Sequence, residues 1–336
     1  MDELEEPGQD DPAIPDDPAI PGDPAIPGDP AIPDDPAIPD DPAIPDDPAI
    51  PDDPPFAGRD MQRLDRLDPP IPPREAIAEV RVRAPTRGNR RLERFLEAVN
   101  ADTHVKALWH VSAVNASRRL GMSDHSWVHI QIVLNIGLRL ARLLFRRGVT
   151  PSVTADYGMT DHDAEVVIAA GCLFHCVGMS IHRDDHERYS LFLTADMLDS
   201  LLAGAYEEPE RTVIASDAMH AIIGHRRKGA PFTVEAGIVR VADALDMARG
   251  RSRVPFESGR LNIHSLSAYA IEDVKISPGT DRAVRVEIAM SNSAGIYQVD
   301  ELLATKLRGS GLEEHLEVIA RIDAEHEQRL IPVFRI

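Results

Sequence analysis

The sequence predicts a mainly α-helical protein that carries a small C-terminal α+β subdomain and a disordered Pro/Asp-rich N-terminal tail. Three observations lead there. A proline-rich repeat runs from Asp11 to Pro51, and apolar residues recur at helical spacing over residues 89–250. Beyond Pro255 the pattern changes to the alternation of strands. These changes divide the chain into a tail (1–58), an Arg-rich linker (59–88), an all-α domain (89–254) and an α+β subdomain (255–336).

The tail repeats Asp-Pro-Ala-Ile-Pro-(Asp or Gly) with a six-residue period. Two prolines per repeat delete amide donors and fix φ, so neither a helix nor a sheet ladder propagates, and polyproline II or coil is expected. The charge follows this division. Of the net charge of −20, residues 1–60 carry −18, from 19 acids and one base, and the remaining 276 residues carry −2. A near-neutral body without a basic stripe is unlike a nucleic-acid binder, which needs clustered Lys and Arg to neutralise phosphates. The linker and the start of the body, Arg59 to Arg94, hold ten arginines and six acids. The tail reads as a solvated spacer with no partner identified, so a chain beginning near Arg87 is expected to keep its stability and activity.

Within the body, Asn89–Val99 and Thr103–Leu120 read as helices, with Leu92, Phe95, Leu96 and Val99 on one face. Ser123 and Asp124 supply cap chemistry before a long apolar helix, Trp127 to Phe145. Thr160 and Asp163 form an Asp variant of a capping box that opens a helix running to about Gly178. Helices over Arg183–Ala203, Pro209–His225 and Val234–Arg249 complete the set. The nearly uncharged run Ala164 to Ile181 approaches the length of a membrane span, yet His175 and small-residue breaks favour a buried helix. With an acidic N-terminus unlike a signal peptide, a cytoplasmic protein without a membrane partner is expected. Two cysteines, Cys172 and Cys176, fit a reducing compartment. After Pro255, Ala270–Ile276 and Ala283–Met290 alternate as strands around a Pro278-Gly279 turn, Tyr297–Leu307 is helical, and His315–Ile322 is a third strand. Ser291 to Gly295 is a polar loop.

Eight of the thirteen histidines lie between His125 and His225, which suggests metal or phosphate chemistry. His129 on the long helix, the doublet His175-Cys176 at the end of an apolar helix, and Asp243 in Val-Ala-Asp-Ala-Leu-Asp are ligand types in apolar surroundings. There, a polar group without a partner is costly. Cys172 reads as core. His182 and His186 are four apart and would share a helix face, and His220 and His225 are helix-end histidines of similar potential. Arg183, Asp184 and Asp185 either orient imidazoles, hold a phosphate, or form a solvated turn.

The order of these groups resembles the HD superfamily of metal-dependent phosphohydrolases, named for a His…His-Asp…Asp ligand set. The resemblance runs through Trp-Val-His-Ile-Gln-Ile-Val at His129, Gly-Cys-Leu-Phe-His-Cys-Val-Gly, and Ile-Val-Arg-Val-Ala-Asp-Ala-Leu-Asp, over roughly residues 103–250. It implies an HD-type helical bundle and a divalent ion (Mn, Mg, Fe or Zn) held by His129, His175, Cys176 and Asp243. It also implies a second metal or a phosphate contacted by histidines after the doublet, for which His182, His186, His220 and His225 are candidates. Hydrolysis of a phosphate ester or phosphodiester by metal-activated water is the implied activity, with a small phosphorylated substrate such as a nucleotide. Self-association is compatible with this reading.

Position 176 departs from the family, which has Asp there. A thiolate suits zinc or a softer ion, whereas Mg²⁺ and Mn²⁺ prefer oxygen. The alternative is therefore a catalytically degenerate HD domain that serves as a nucleotide-binding or regulatory module. A second alternative is a zinc hydrolase built on His182-Arg-Asp-Asp-His186, similar to the inverted zincin spacing but with Asp for Glu.

Overall fold

The computed structural model describes residues 71–226, 228–248 and 263–322. The tail, the first part of the linker, the predicted helix end at Arg249 and residues 323–336 lie outside the described residues. What is described is mainly helical with a small C-terminal sheet.

Among the described residues, nine α-helices run from Pro73 to Leu245: α1 (Pro73–Ala78), α2 (Arg90–Ala101), α3 (Thr103–Ala113), α4 (Trp127–Arg146), α5 (Ser152–Tyr157), α6 (Asp161–Phe174), α7 (His186–Leu202), α8 (Glu210–Gly224) and α9 (Val234–Leu245). Helix α6 is the axis of the bundle and packs against α2, α4, α8 and α9. Its residues from Asp163 to Phe174 are all buried, as a helix apolar on every side requires. Its two buried acids are both paired: Asp163 with Arg91 (2.5 Å) and Tyr206 Oη (2.8 Å), and Glu165 with Arg142 (2.6 and 3.0 Å) and Asn89 (3.1 Å). Helix α4 and the run Asp161–Ser180 that begins with α6 are long and apolar enough to cross a membrane, but the second is 94% buried inside the protein.

The Thr160–Asp163 capping box is present. Elsewhere the local chemistry differs from the sequence reading. The long helix is capped by Ser126, whose Oγ accepts from Val128 N (3.1 Å). Asp124 acts one step back, accepting from Ser126 N (2.9 Å) and Oγ (2.7 Å). The helix over Thr103–Leu120 widens after Ala113 into a π-helical stretch, Val114–Leu120, and stops at Gly121 in the left-handed region. Helix α6 ends at Phe174 rather than near Gly178; a 3₁₀ turn, Val177–Ser180, follows His175 and Cys176. His182 and His186 do not share a helix face, because α7 begins only at His186, after Asp185 at φ 56°.

The described part of the linker is anchored. Val80 and Val82 join the core, and the extended backbone between them and Arg83 pairs with side-chain amides. Val82 N donates to Asn100 Oδ1, and Asn100 Nδ2 returns a bond to Val82 O, both at 2.9 Å. Arg83 N donates to Gln131 Oε1 (2.6 Å), and Arg83 O accepts from Gln131 and from Asn135 Nδ2 (3.0 Å).

The C-terminal strands are β1 (Ile271–Pro278), β2 (Val284–Met290) and β3 (Leu316–Ile322), in that order; β1 and β2 are antiparallel, β2 and β3 parallel. Gly279 N donates to Ala283 O (3.2 Å) across the predicted turn. Val284, Val286, Ile288 and Met290 alternate inward, and β1 and β2 lie against α4. A helix missed by the sequence reading, Ile263–Tyr269, precedes β1. In the polar loop after β2, Asn292 caps Ala294 N (2.9 Å), and a helical segment over Gln298–Leu307 follows. That segment, π-helical over Gln298–Ala304 and α-helical over Thr305–Leu307, brings Lys306 to α9.

One packing decision costs stability. Asp217 on α8 is pushed up to about 6 from its ordinary 3.8 by burial and by the charges of Glu235 and Asp156. The folded state thus keeps a proton that the unfolded chain releases, and stability falls as pH rises from about 4 to about 6. Asp217→Asn is expected to stabilise the protein at pH 7.5 by about 1 kcal/mol, after discounting for its partly exposed position, and to have no effect at pH 3.5. Equal shifts in melting temperature at both pH values would refute the assignment.

Candidate metal centre

Helix ends build this site. His175 follows the last residue of α6 and His225 the last of α8, where backbone carbonyls lack helical partners. Each imidazole Nδ1 meets the carbonyl three residues earlier: Cys172 O at 2.9 Å and Ile222 O at 2.5 Å. A carbonyl only accepts, so Nδ1 donates and the Nε2 lone pair faces inward. At His186, the Arg183 carbonyl (3.1 Å) and Glu187 carboxylate (3.5 Å) favour the same tautomer against the Arg183 guanidinium, also 3.1 Å away. His129, in the first turn of α4, donates Nδ1–H to Asp246 Oδ2 at 2.6 Å. Asp246 sits just past the end of α9, three residues after Asp243.

The inward atoms converge. His129 Nε2 and His175 Nε2 are 3.2 Å apart, Asp243 Oδ1 is 3.5 Å from each, and Cys176 Sγ is 3.9 Å from His129 Nε2. Tetrahedral bonds of about 2.1 Å to nitrogen or oxygen and 2.3 Å to sulfur put neighbouring donors roughly 3.3–3.7 Å apart. The spacings among His129, His175 and Asp243 come close to this, and the Cys176 sulfur stands somewhat wider. The donors of His129, His175 and Cys176, of Cys176, His186 and His225, and of His175, His225 and Asp243 each lie within 4.8 Å of one another, and all these residues are buried.

Electrostatics agree with a cation in this place. Burial pushes the Cys176 thiol up, but the His175 charge and hydrogen bonds from His129, His175 and His186 outweigh it and hold it well below its ordinary value. Burial pulls His175 down, yet Cys176 and Asp243 push it up to about 10. His225 lies well below its usual range, through burial and the neighbouring charges of His175 and Lys306. Lys306 forms an ion pair with Asp243 Oδ2, leaving Oδ1 toward the imidazoles.

Six of the eight predicted residues are thus together: His129, His175, Cys176, Asp243, His186 and His225. Two are elsewhere. His182 is exposed, its Nδ1 accepting from Asp184 N at 3.0 Å, which also removes the His182–His186 pair needed for a zincin-like site. His220 stacks on Phe232 (centroids 3.6 Å apart) and accepts from its backbone N–H at 3.1 Å. Cys172 is core, as expected.

Sequence reasoning missed the supports. Along one face of α3 and the stretch that continues it, Trp109, Ser112 and Asn115 bind the carbonyls around the doublet. Trp109 Nε1 donates to Leu173 O (3.0 Å), Ser112 Oγ to Val177 O (3.4 Å) and Asn115 Nδ2 to Met179 O (2.7 Å). Their three-residue spacing along one face was the available signal. Arg240 ties the end of α8 to the C-terminal segment through Gly229 O (2.6 Å), Arg226 O and Lys306 O (2.7 Å). Asp246 is legible only as the second acid of Asp-Ala-Leu-Asp. Asp246→Asn keeps the shape but removes the charge behind His129, and is expected to weaken metal binding by roughly ten- to a hundredfold. Competition against a chelator measures this, and unchanged affinity would refute the role.

No family model matches the chain, and no solved structure matches it. Among curated proteins it is similar to the uncharacterized protein MJ1020 of Methanocaldococcus jannaschii, with 35% identity over 221 residues, covering 66% of this chain and 85% of that protein. The chain belongs to the MJ1020 family. The name of that relative states no activity, so what the family does has to be argued from the buried centre.

Proposed function

We propose that this protein is a metal-dependent phosphohydrolase of the HD type, acting on a phosphate ester or phosphodiester of a nucleotide-type substrate. One observation carries the reading: His129, His175, Cys176 and Asp243 stand in the order of the HD resemblance, and in a buried place the two imidazole nitrogens and the Asp243 oxygen lie 3.2–3.5 Å apart with the Cys176 sulfur 3.9 Å from His129. A divalent ion held there supplies Lewis acidity and an acidified water. The chain's own residues orient and insulate. Asp246 keeps the proton on His129 Nδ1, and Lys306 anchors the far oxygen of Asp243. Burial of the imidazoles excludes bulk water and strengthens each interaction. Arg183, exposed beside His186, offers a guanidinium to phosphoryl oxygens.

The test is a screen of phosphomonoesters, nucleotides and cyclic dinucleotides with Mn²⁺, Mg²⁺, Zn²⁺ or Fe²⁺. Turnover is expected, and is expected to be lost in His129→Ala; none with any ion overturns hydrolysis. Cys176, where the HD pattern has Asp, favours a second reading, a nucleotide-binding module without turnover. An inactive parent made active by Cys176→Asp would support that reading.

A further inference from the structure

We infer that β3 is a self-complementary edge on which a second copy of this chain docks. The two β3 strands run antiparallel about a two-fold axis at Ile319, so that two three-stranded sheets join into one of six strands. This goes beyond the proposed function and does not depend on it.

β3 is the last strand of the sheet, and its outer edge carries no further strand among the described residues. Such an edge is a template for another strand. In a parallel pair, alternate residues turn their backbone groups toward the neighbour. Val284 stands in register with Leu316, and Val284 N donates to His315 O at 3.0 Å. Glu317, Ile319 and Arg321 therefore bond toward β2, and Leu316, Val318, Ala320 and Ile322 face outward. Leu316 is already engaged, donating to Leu312 O (3.2 Å) and accepting from Arg282 (2.7 Å). An antiparallel copy meets the outward groups in register when the axis passes through Val318, Ile319 or Ala320. Chemistry selects among these. With the axis at Val318 or Ala320, Ile319 lies opposite Glu317 or Arg321. With the axis at Ile319, Glu317 lies opposite Arg321 of the other copy, twice by symmetry, and Val318 exchanges hydrogen bonds with Ala320. Ile319 then meets itself in a close pair. The strand Leu-Glu-Val-Ile-Ala-Arg-Ile thus carries opposite charges equidistant from its centre, as an isologous contact requires. Glu317 also has Arg285 of β2 at 4.0 Å, on the same face. On the other face a groove of about 350 Å³ between Met290, Ile296, Val299, Ala304, Ala320 and Ile322 is left open, with Ile296 51% and Ile322 37% exposed. The same register brings Leu316 of the second copy beside Ile322, which extends the apolar cover there.

Sedimentation equilibrium of the full chain is expected to show a dimer. Glu317→Arg and Arg321→Glu each set like charges opposite one another at both ends of the contact, and each is expected to weaken dimerisation by about tenfold or more. Mixed one to one, the two variants place opposite charges at both positions again, so association close to that of the parent is expected. Ala320→Pro removes an N–H that faces outward, where an edge strand accepts proline. The sheet should survive this change and the dimer should not, which keeps the idea testable if a charge variant misfolds. A parent chain that is monomeric at about 100 μM, where even weak specific contacts form, would show that the edge charges serve to keep copies apart. A dimer unaffected by Ala320→Pro, or a mixture that associates no more tightly than its components, would equally overturn the pairing.

Discussion

Replacing Gly178 with alanine is expected to abolish tight metal binding and to cost about 3 kcal/mol or more of stability. A Cβ at this position would stand 1.9 Å from His186 O and 2.6 Å from Ser190 N. Both are backbone atoms, so no side-chain tip can swing away to relieve the clash. Either the start of α7 backs off or the turn after the doublet does. The displacement reaches the ligands by a short path. Gly178 N donates to Ser190 Oγ, and Ser190 Oγ donates to His175 O, each at 2.9 Å. His175 and Cys176 hang on one side of this contact and His186 on the other. Urea unfolding gives the stability and chelator competition the affinity. A variant with the wild-type midpoint and affinity would show that the turn has slack.

A chain truncated to begin near Arg87 is expected to lose about 3–5 kcal/mol, whereas one beginning at Ile71 should melt with the full-length protein. Val80 and Val82 are 5% and 1% exposed, and a fully buried valine contributes roughly 1.5–3 kcal/mol. Their removal also strips Asn100 and Gln131 of the backbone groups they bind. A fall of roughly 10 °C in melting temperature is expected at the usual conversion for a body of this size. Equal melting temperatures for the two truncations would return residues 71–86 to the role of a linker. The sequence reading placed the domain boundary at 88 because arginine and proline dominate the segment. Two valines separated by one residue are too short a signal to outweigh that composition. The side-chain amides that hold this backbone come from elsewhere in the chain, Asn100 on α2 and Gln131 and Asn135 on α4.

The same distinction runs through the site. His129, His175, Cys176 and Asp243 were legible because each sits in or directly after an apolar helix where a polar group needs a purpose, and because their order matches a known ligand pattern. His182 and His186 looked equivalent at four-residue spacing, yet only His186 is buried. The left-handed residue Asp185 intervenes and starts α7 afresh, so the spacing no longer describes one helix face. His220 and His225 likewise share a helix end, but five residues turn them to different sides, one onto Phe232 and the other onto the centre.

Periodicity, caps and turns are local properties, and the residues alone settled several of them: the apolar helices that carry His129 and Asp243, the Thr160–Asp163 box, the hairpin at Pro278-Gly279, and the charge confined to the tail. Which donors meet depends on how helices far apart in the chain are rotated against each other, and this is decided by packing. Asp246 reaches His129 across 117 positions, Trp109 reaches Leu173 across 64, and Lys306 reaches Asp243 across 63. No local pattern encodes such distances. They follow from the burial of α6 on all sides, which brings the ends of α6, α8 and α9 and the start of α4 to one place.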